Sequence, residues 1–260
     1  MIWIIAGTKD GRELASKVAH EVGADQIVIT VVSSYGKLLA QAAGTDVVVG
    51  RLTQSDMENM IADKQIRLVV DASHPYAAIV SETARAACRS AGVQYVRYER
   101  PETPLPVYEK LHHVTDEVAA AELAGELGNR VYLTTGSKTL KTFLTAPALQ
   151  GKEVWSRVLP TTEVIQMCEE LGLTPKYIVG IQGPFSYEMN RAMFHDTGAQ
   201  VVVMKNSGLV GGTDTKLQAA MDEQLDIIVI DRPPTVTQDF TKVNAVDDVM
   251  QYWREHNGIY

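Results

Sequence analysis

The chain has 260 residues, a formal net charge of −8 and a hydrophobic fraction of 45%, which is enough apolar material for a sizeable core and too much for a disordered chain. A chain of this length is expected to form one large domain or two small ones. The acidic balance has the wrong sign for neutralising a phosphate backbone, so we do not expect nucleic acid as a partner.

The cysteines and the N-terminal residues bear on the cellular compartment of the protein. Cys88 and Cys168 are the only cysteines, and their spacing predicts neither a disulfide framework nor a metal site. We expect both to be reduced and buried. The apolar residues 1–6 run directly into Gly7, without a basic leader or the length of a membrane span, so we expect a cytoplasmic protein that does not bind a membrane.

In the first part of the chain, short β-branched runs alternate with amphipathic segments. This alternation is typical of strand-helix-strand units with a parallel sheet. The predicted strands are residues 2–6, 26–32, 46–49, 68–71 and 94–98, and the predicted helices are residues 11–22, 37–43, 54–62 and 76–91. Asp10 and Thr53 are predicted N-caps, and Gly92 is a predicted C-cap.

A proline-rich segment, residues 100–107, interrupts this rhythm. Pro101, Pro104 and Pro106 remove backbone donors and exclude a helix or a central strand. We therefore place a domain boundary here, with residues 1–100 and 101–260 forming two doubly wound, Rossmann-like α/β domains that enclose a cleft.

After this segment, predicted strands and helices alternate again. The predicted strands of the second domain are residues 108–112, 130–134, 153–157, 177–181, 200–204 and 226–230. The predicted helices are residues 116–126, 138–144, 162–171, 187–196, 213–221 and 245–255. The second domain is thus predicted to have the same architecture as the first.

The turns after the strands are the places to search for a ligand site, since open parallel sheets bind ligands at their carboxyl edge. The first turn holds Gly7 and Gly11 but lacks the full G-x-G-x-x-G spacing, and the second strand does not end in the acidic residue that would bind an adenosine ribose. A tight strand-to-helix turn explains this glycine pair equally well.

In the second domain three turns are rich in small residues, and two of them also contain a lysine. They are residues 135–138, 182–186 and 205–208. Free N–H groups at helix starts and lysines favour anions such as phosphate. An ordinary helix cap beside a solvated lysine explains any one of these turns, but together they favour a nucleotide phosphate site.

His74 follows the fourth predicted strand and precedes a helix. A histidine in this position is either packed or capping, or able to contact a ligand carboxylate and transfer a proton. His112 and His113 are adjacent on a predicted strand, so their side chains point to opposite sides and a metal site is not expected.

Taken in order, the loops resemble those of one family. The motifs that carry the resemblance are residues 71–77, 135–138, 182–186, 205–208 with Gly212 and Lys216, and 229–233. Together, and at a matching chain length, they resemble the precorrin-6A reductase family of cobalamin biosynthesis. The family's first loop commonly reads Gly-Gly-Thr before an acidic residue, whereas this chain has Ala6, Gly7, Thr8 and Lys9, which leaves the role of this loop open.

The resemblance implies a reductase that uses NADH or NADPH to deliver hydride to one double bond of an anionic corrin precursor, cobalt-free or cobalt-bearing. Neighbouring enzymes of that pathway are further candidate partners. The cofactor is expected on the second domain, at Gly136, Ser137, Lys138, Gln182, Gly183, Pro184, Phe185, Ser186, Lys205, Asn206, Ser207 and Gly208. The macrocycle is expected to bind at Thr8, Lys9, Arg12, Asp71 and Ser73, with Lys9, Arg12 and His74 contacting its carboxylates. His74 and then Tyr76 are the candidate proton donors, and no metal bound by the protein is expected.

Two other classes of function stay open. A two-domain binding module would share the architecture but need no dinucleotide, and a tetrapyrrole synthase or lyase would act without reductant. The sequence does not choose between NADH and NADPH, because that choice depends on a placed cation near the adenosine ribose.

Overall fold

The computed structural model describes residues 1–41, 44–208, 211–233 and 240–257. The chain divides into two compact units. Unit 1 comprises Met1–Pro101 and the residues from Pro233 onward, and unit 2 comprises Glu102–Arg232. Each unit contains a six-stranded sheet, and every strand pair in both sheets is parallel.

Strands and helices are numbered along the chain. The strands of unit 1 are β1 (Ile2–Ile5), β2 (Ile27–Val31), β3 (Asp46–Val49), β4 (Leu68–Asp71), β5 (Gln94–Tyr98) and β12 (Thr241–Val243). Its helices are α1 (Lys9–Val22), α2 (Ser34–Ala40), α3 (Gln54–Asp63), α4 (Ala78–Ala91) and α10 (Val246–Asn257). The strand order is β12-β5-β4-β1-β2-β3.

The strands of unit 2 are β6 (Leu111–Val114), β7 (Arg130–Leu133), β8 (Glu153–Val158), β9 (Ile178–Gly180), β10 (Val201–Lys205) and β11 (Asp226–Ile230). Its helices are α5 (Glu117–Leu127), α6 (Leu140–Thr145), α7 (Thr162–Glu170), α8 (Tyr187–Asp196) and α9 (Thr213–Asp222). The strand order is β6-β11-β10-β7-β8-β9. The direction of winding therefore reverses between β1 and β4 in unit 1 and between β7 and β10 in unit 2.

The central strands form because they are apolar at consecutive positions. β1, β2 and β4 are buried at every residue, as expected for strands that helices cover on both faces. One face of the first sheet packs with α1 and α10 through residues such as Leu14, Met250 and Trp253. The other face packs with α3 and α4, through residues such as Met57 and Ala84.

The structure agrees with some predicted helix and strand ends and differs from others. The N-cap of α1 is Thr8, whose side chain accepts from the N–H of Gly11, and Asp10 lies in the first helical turn. Thr53 forms the predicted cap of α3, and Gly92 ends α4 in the left-handed conformation. The strand predicted at 108–112 begins at Leu111. Residues 42 and 43 of the predicted second helix lie outside the described residues.

The last residues of the chain, which the sequence analysis placed in the second domain, group with the first unit in the structure. β6 follows β5 along the chain but pairs with β11, and β12 follows β11 but pairs with β5. The residues from Pro233 onward therefore belong to unit 1 and not to a second domain spanning 101–260. The short strand β12 has no long apolar run, since two of its three residues are exposed, and sequence patterning did not predict it.

Candidate functional site

In unit 1 the loops after β1 and β4 are joined at the carboxyl edge of the sheet. The hydroxyl of Thr8 donates to the carbonyl of Ala72 over 3.3 Å and accepts from the N–H of Gly11 over 3.0 Å. A Cβ atom at Gly11 would lie 2.9 Å from the same carbonyl, so only glycine fits there. Thr8 therefore fixes the two loops together, and its hydroxyl is already engaged where a substrate contact was predicted.

Asp71, at the end of β4, is fully buried. Its carboxylate pairs with Arg97 at 2.8 Å and accepts from the hydroxyls of Ser81 and Tyr95 over 2.5 and 2.7 Å. The N–H of Ser73 donates to it over 2.9 Å. These donors occupy both oxygens of Asp71, for which a contact with substrate was predicted. The residue instead holds the loop that follows β4.

The electrostatics of Asp71 agree with this role. Burial by itself would raise the pKa of the carboxyl group, but the charge of Arg97 and the hydroxyl donors outweigh burial and hold the pKa below its ordinary value. The buried carboxylate is therefore ionised at neutral pH.

Arg97 extends the network and was missed by the sequence analysis. Its guanidinium donates to the hydroxyl of Ser73 over 2.9 Å and to the carbonyl of Ser73 over 3.1 Å. It also pairs with Glu99 at 3.3 Å, and Lys242 of β12 pairs with the other oxygen of Glu99 at 3.1 Å. The hydroxyl of Ser73 is thus directed toward Arg97, although this serine was predicted to bind substrate.

His74 and Tyr76 lie beside each other in the loop after β4, and both are half-buried. The N–H of Tyr76 donates to Nδ1 of His74 over 3.3 Å, and the ring centroids are 5.6 Å apart. With Nδ1 acting as acceptor, the neutral imidazole carries its hydrogen on Nε2. The structure therefore brings together the two predicted proton donors on a loop anchored by Asp71 and Arg97.

The two cations predicted on α1 differ. Lys9 is exposed, and its ammonium group lies 3.6 Å from the carboxylate of Glu13, a weak pair on the helix surface. Arg12 is half-buried, and within the described ranges its guanidinium has no hydrogen-bond or ion-pair partner. Of the two, Arg12 is the better anion-binding group.

In unit 2 the turn after β7 contains Gly136, Ser137 and Lys138. Gly136 has φ +80°, and no atom lies within 4 Å of the position that a Cβ would take. Thr139 closes the turn by donating to the hydroxyl of Thr135 over 2.7 Å. Helix α6 starts at Leu140 and has only six residues, so any phosphate contact here would come from the turn and Lys138.

The second predicted segment follows β9. Gln182, Gly183 and Pro184 are exposed, and the hydroxyl of Ser186 accepts from the N–H of Met189 and caps α8. The ring of Phe185 lies against the guanidinium of Arg157, whose central carbon is 4.5 Å from the ring centroid. The segment is therefore exposed over its first three residues, whereas Phe185 and the hydroxyl of Ser186 contact the rest of unit 2.

The third predicted segment follows β10 and is used largely by the chain itself. Lys205 pairs with Glu117 of α5 at 2.8 Å. Asn206 is 4% exposed, and its amide accepts from the N–H of Thr103 over 3.1 Å and donates to the carbonyl of Thr103 over 2.8 Å. Asn206, for which a contact with cofactor was predicted, therefore holds the segment that enters unit 2. Ser207 is half-buried and Gly208 is buried.

Arg157, near the end of β8, is a further cation that the sequence analysis did not select. It is 9% exposed and donates to the side-chain oxygen of Asn190 over 2.8 Å. Burial lowers its pKa, and the phenol of Tyr132 opposes this shift. A charged residue at an inward position of a buried strand was the signal that could have identified it.

Comparison with known proteins decides the family. The family model described as Precorrin-6x reductase CbiJ/CobK matches residues 1–254. The chain belongs to this family.

Relatives of this reductase family cover most of both chains. The chain is 40% identical over 234 residues to a protein named cobalt-precorrin-6A reductase from Priestia megaterium, covering 90% of this chain and 91% of the relative. A protein of the same name from Salmonella typhimurium is 39% identical over 245 residues, with 92% and 90% covered. A solved structure, CobK precorrin-6A reductase, has a TM-score of 0.80 at 25% identity and covers 98% of this chain and 96% of that one.

These findings confirm the family and the reductase class that the loops predicted. They also confirm the fold class, because both units of this precorrin-6x reductase are parallel α/β sheets and the matched structure covers nearly the whole chain. Among the described residues, no helix combines the length and apolar character needed to cross a membrane.

The cysteines of the reductase are free and buried. Burial, and secondarily the charge of Asp71, raises the pKa of the Cys88 thiol to about 12, so this thiol is neutral at physiological pH and a poor nucleophile. Within the described ranges, no three His, Cys, Asp or Glu side chains are grouped as metal ligands.

A nicotinamide dinucleotide, the hydride donor that a reductase of this family requires, fits the residues of unit 2. The turn at Gly136 leaves open space where a side chain would stand, which lets a backbone approach phosphate closely. Lys138 is exposed beside it. The guanidinium of Arg157 forms no ion pair with a carboxylate in the part of the chain that the structure describes. These groups supply small-residue backbone and positive charge, as phosphate recognition needs.

Proposed function

We propose that this member of the precorrin-6x reductase family reduces one double bond of a cobalt-bearing precorrin-6A macrocycle. The observation that carries the proposal is the 40% identity, across 90% of the chain, to a protein named for that substrate. The hydride donor is NADH or NADPH. The site geometry supports the proposal because both units place cations and small-residue loops at the carboxyl edges of their sheets, where such folds bind ligands.

We assign the dinucleotide to unit 2, with its phosphates at the turn of Gly136, Ser137 and Lys138 and the remainder along Gln182–Ser186 and Ser207–Gly208. What supports this assignment is the open turn at Gly136 and the exposed loop after β9. Replacing Lys138 by Ala should raise the dissociation constant of the dinucleotide about tenfold, as expected for a lost charge-assisted hydrogen bond.

We assign the carboxylates of the macrocycle to unit 1. Arg12 has a guanidinium without an acid partner among the described residues, and a guanidinium binds a carboxylate in a bidentate manner. The net charge of −8 repels a polyanion at long range, so attraction must come from local cations such as Arg12 and Lys9.

The chemistry requires a hydride at one carbon of the macrocycle and a proton at its neighbour. A bound nicotinamide supplies the hydride, and the protein orients the two reactants, which contributes up to roughly 7–11 kcal/mol. We assign the proton for the neighbouring carbon to Nε2 of His74 in its imidazolium form, which requires Nδ1 to give up the hydrogen bond that it accepts from the N–H of Tyr76 in the neutral ring. The loop anchored by Asp71 and Arg97 keeps the imidazole in place.

The test is turnover by the purified protein. With cobalt-precorrin-6A and either nucleotide we expect nicotinamide absorbance to fall in step with formation of the reduced macrocycle, and metal-free precorrin-6A should react more slowly. Binding of both ligands without loss of absorbance would indicate a binding module, and conversion of the macrocycle without nucleotide consumption would indicate a synthase or lyase.

The role of His74 has a separate test. We expect a His74→Ala, Tyr76→Phe variant to bind both ligands as wild type does while kcat falls and loses its pH dependence in the range where histidine titrates. An unchanged rate across the pH range would assign the proton to water.

A further inference from the structure

The guanidinium of Arg157 is a buried positive charge without a negative partner. Arg157 is 9% exposed, and one of its terminal nitrogens donates to the side-chain oxygen of Asn190 over 2.8 Å. No carboxylate pairs with it in the described part of the chain. A buried charge costs free energy unless an opposite charge or several hydrogen bonds compensate for it, and Asn190 supplies one neutral acceptor.

The remaining donors of Arg157 are open to a ligand. Nε and Nη2 have no acceptor within the described ranges, and neither belongs to the fully enclosed polar atoms that lack a partner. One face of the guanidinium is covered by the ring of Phe185 at 4.5 Å. The stack fixes the plane of the guanidinium, while two unused donors reach the protein surface.

The position of Arg157 in the sheet identifies the ligand. β8 is the neighbour of β7, and β7 borders the place where the winding of the second sheet reverses. Arg157 lies about 20 residues after Gly136. In dinucleotide-binding folds, a similar separation lies between the glycine-rich turn and the residue beside the adenosine ribose. An acid there binds the ribose hydroxyls, whereas an arginine binds phosphate.

We propose that Arg157, held flat by Phe185, is a phosphate-binding group of unit 2 that contacts the bound dinucleotide. This inference rests on the proposed function and adds a binding residue to it. The phosphate is either the diphosphate that NADH and NADPH share or the 2′-phosphate that NADPH alone carries. Both are oxyanions that a guanidinium binds with two parallel hydrogen bonds.

The experiment measures dissociation constants by calorimetry for NADH, NADPH, ADP, 2′,5′-ADP and adenosine. The proteins are the wild type, Arg157→Gln, Arg157→Lys and Phe185→Leu. Arg191→Gln is the matched control, because Arg191 is an exposed arginine of the same unit that pairs with Glu223. A thermal melt of each protein shows whether it is folded.

We expect Arg157→Gln to weaken phosphate-bearing ligands by about tenfold or more and to leave adenosine unchanged. Arg157→Lys should lose less, and Phe185→Leu should weaken the same ligands while retaining the charge, so it serves if Arg157→Gln does not fold. Equal losses for NADH, NADPH and ADP assign the diphosphate. Losses confined to NADPH and 2′,5′-ADP assign the 2′-phosphate.

Two results would overturn the inference. If the wild type binds dinucleotide and the Arg157 and Phe185 variants bind every ligand equally well, or lose adenosine to the same extent as ADP, Arg157 is structural and the proposed function survives. If the wild type binds neither NADH nor NADPH, the proposed function and the inference both fail.

Discussion

At the scale of single residues, the same chemical type has opposite roles according to its partners. Arg97 is saturated by Asp71, Glu99 and the loop at Ser73, so its charge serves the fold. Arg12 and Arg157 lack acid partners in the described part of the chain. Charge without a partner therefore distinguishes the arginines that we assign to ligands from the one that organises a loop.

The Asp71–Arg97 pair should make stability dependent on pH. The pKa of Asp71 lies below its ordinary value in the folded state, so ionised Asp71 stabilises the fold above the unfolded pKa of about 3.9. This stabilisation is lost as the pH falls through the lower, folded pKa. We expect Asp71→Asn to reduce the free energy of unfolding at pH 7 by about 3–5 kcal/mol, because it removes one partner of a buried ion pair and leaves the charge of Arg97 opposed only by Glu99, which Lys242 also shares.

Denaturant unfolding of both proteins between pH 7 and pH 2 would measure this difference. The two curves should converge in acid, because protonation removes the charge of Asp71 in the wild type. Asp63→Asn is a suitable control, since Asp63 is an exposed carboxylate at the end of α3 that forms no side-chain hydrogen bond or ion pair within the described residues. A constant difference between wild type and Asp71→Asn at all pH values would contradict this account.

Arg12→Lys tests the substrate side of the site. The change keeps the charge and removes bidentate binding, so we expect KM for the macrocycle to rise about tenfold with little change in the dissociation constant of the dinucleotide. Steady-state kinetics with saturating nucleotide would measure it. Lys17→Arg, on the exposed side of α1, should leave KM unchanged. Wild-type KM in Arg12→Lys would make Arg12 an ordinary surface cation.

At the scale of elements, strand ends and helix starts build each site. Thr8 caps α1 and at the same time bonds to Ala72 after β4, so one hydroxyl sets the spacing of two loops. Ser186 caps α8 directly after Phe185. The caps fix where the loops begin, and the loops then present the side chains assigned to ligands.

Helix α10 is part of the core of unit 1, although it lies at the end of the chain. Trp253 is 8% exposed and packs in the cluster that includes Leu14 and Val18 of α1. Trp253→Ala should therefore lower the free energy of unfolding by about 3–5 kcal/mol. Met189→Ala, at a position that is 41% exposed, is the control and should have little effect. Equal stability of Trp253→Ala and wild type would mean that α10 does not stabilise unit 1.

At the scale of the whole molecule, the chain passes from unit 1 to unit 2 and back. The outermost strand beside β5 is β12, which follows unit 2 along the chain, whereas the outermost strand beside β11 is β6, the first strand of unit 2. Without these outermost strands, the five remaining strands of the two sheets follow the same order along the chain. The two units are thus one architecture, with the first built from two separate stretches of chain.

Ending the chain after Arg232 tests this arrangement. The shortened protein lacks β12 and α10, which uncovers the edge of β5 and the cluster around Leu14. We expect the amides of β1 and β4 to lose protection from hydrogen exchange, while those of β7 and β10 stay protected. Hydrogen exchange read by mass spectrometry would measure both sets. Retained protection in β1 would show that unit 1 does not need its C-terminal strand and helix.

The sequence by itself determined the alternation of strands and helices, because a buried parallel strand and an amphipathic helix leave different periodicities in the residues that form them. It also determined the order of the loops, and through it the family. The proline-rich segment located the first boundary, since proline disrupts both kinds of element.

Tertiary structure decided which sheet each terminal strand joins and which polar side chains are available to a ligand. The residues of a parallel strand such as β12 do not reveal which strand it pairs with, because pairing uses backbone groups that nearly every residue has. Whether a polar side chain can bind a ligand depends on groups far along the chain. Arg97 pairs with Asp71, and Thr103 forms hydrogen bonds with Asn206. No acid within the described residues pairs with Arg12 or Arg157. The sequence gives the charge of each side chain, but the interaction energy between two charges depends on the distance between them, and the folded structure sets that distance.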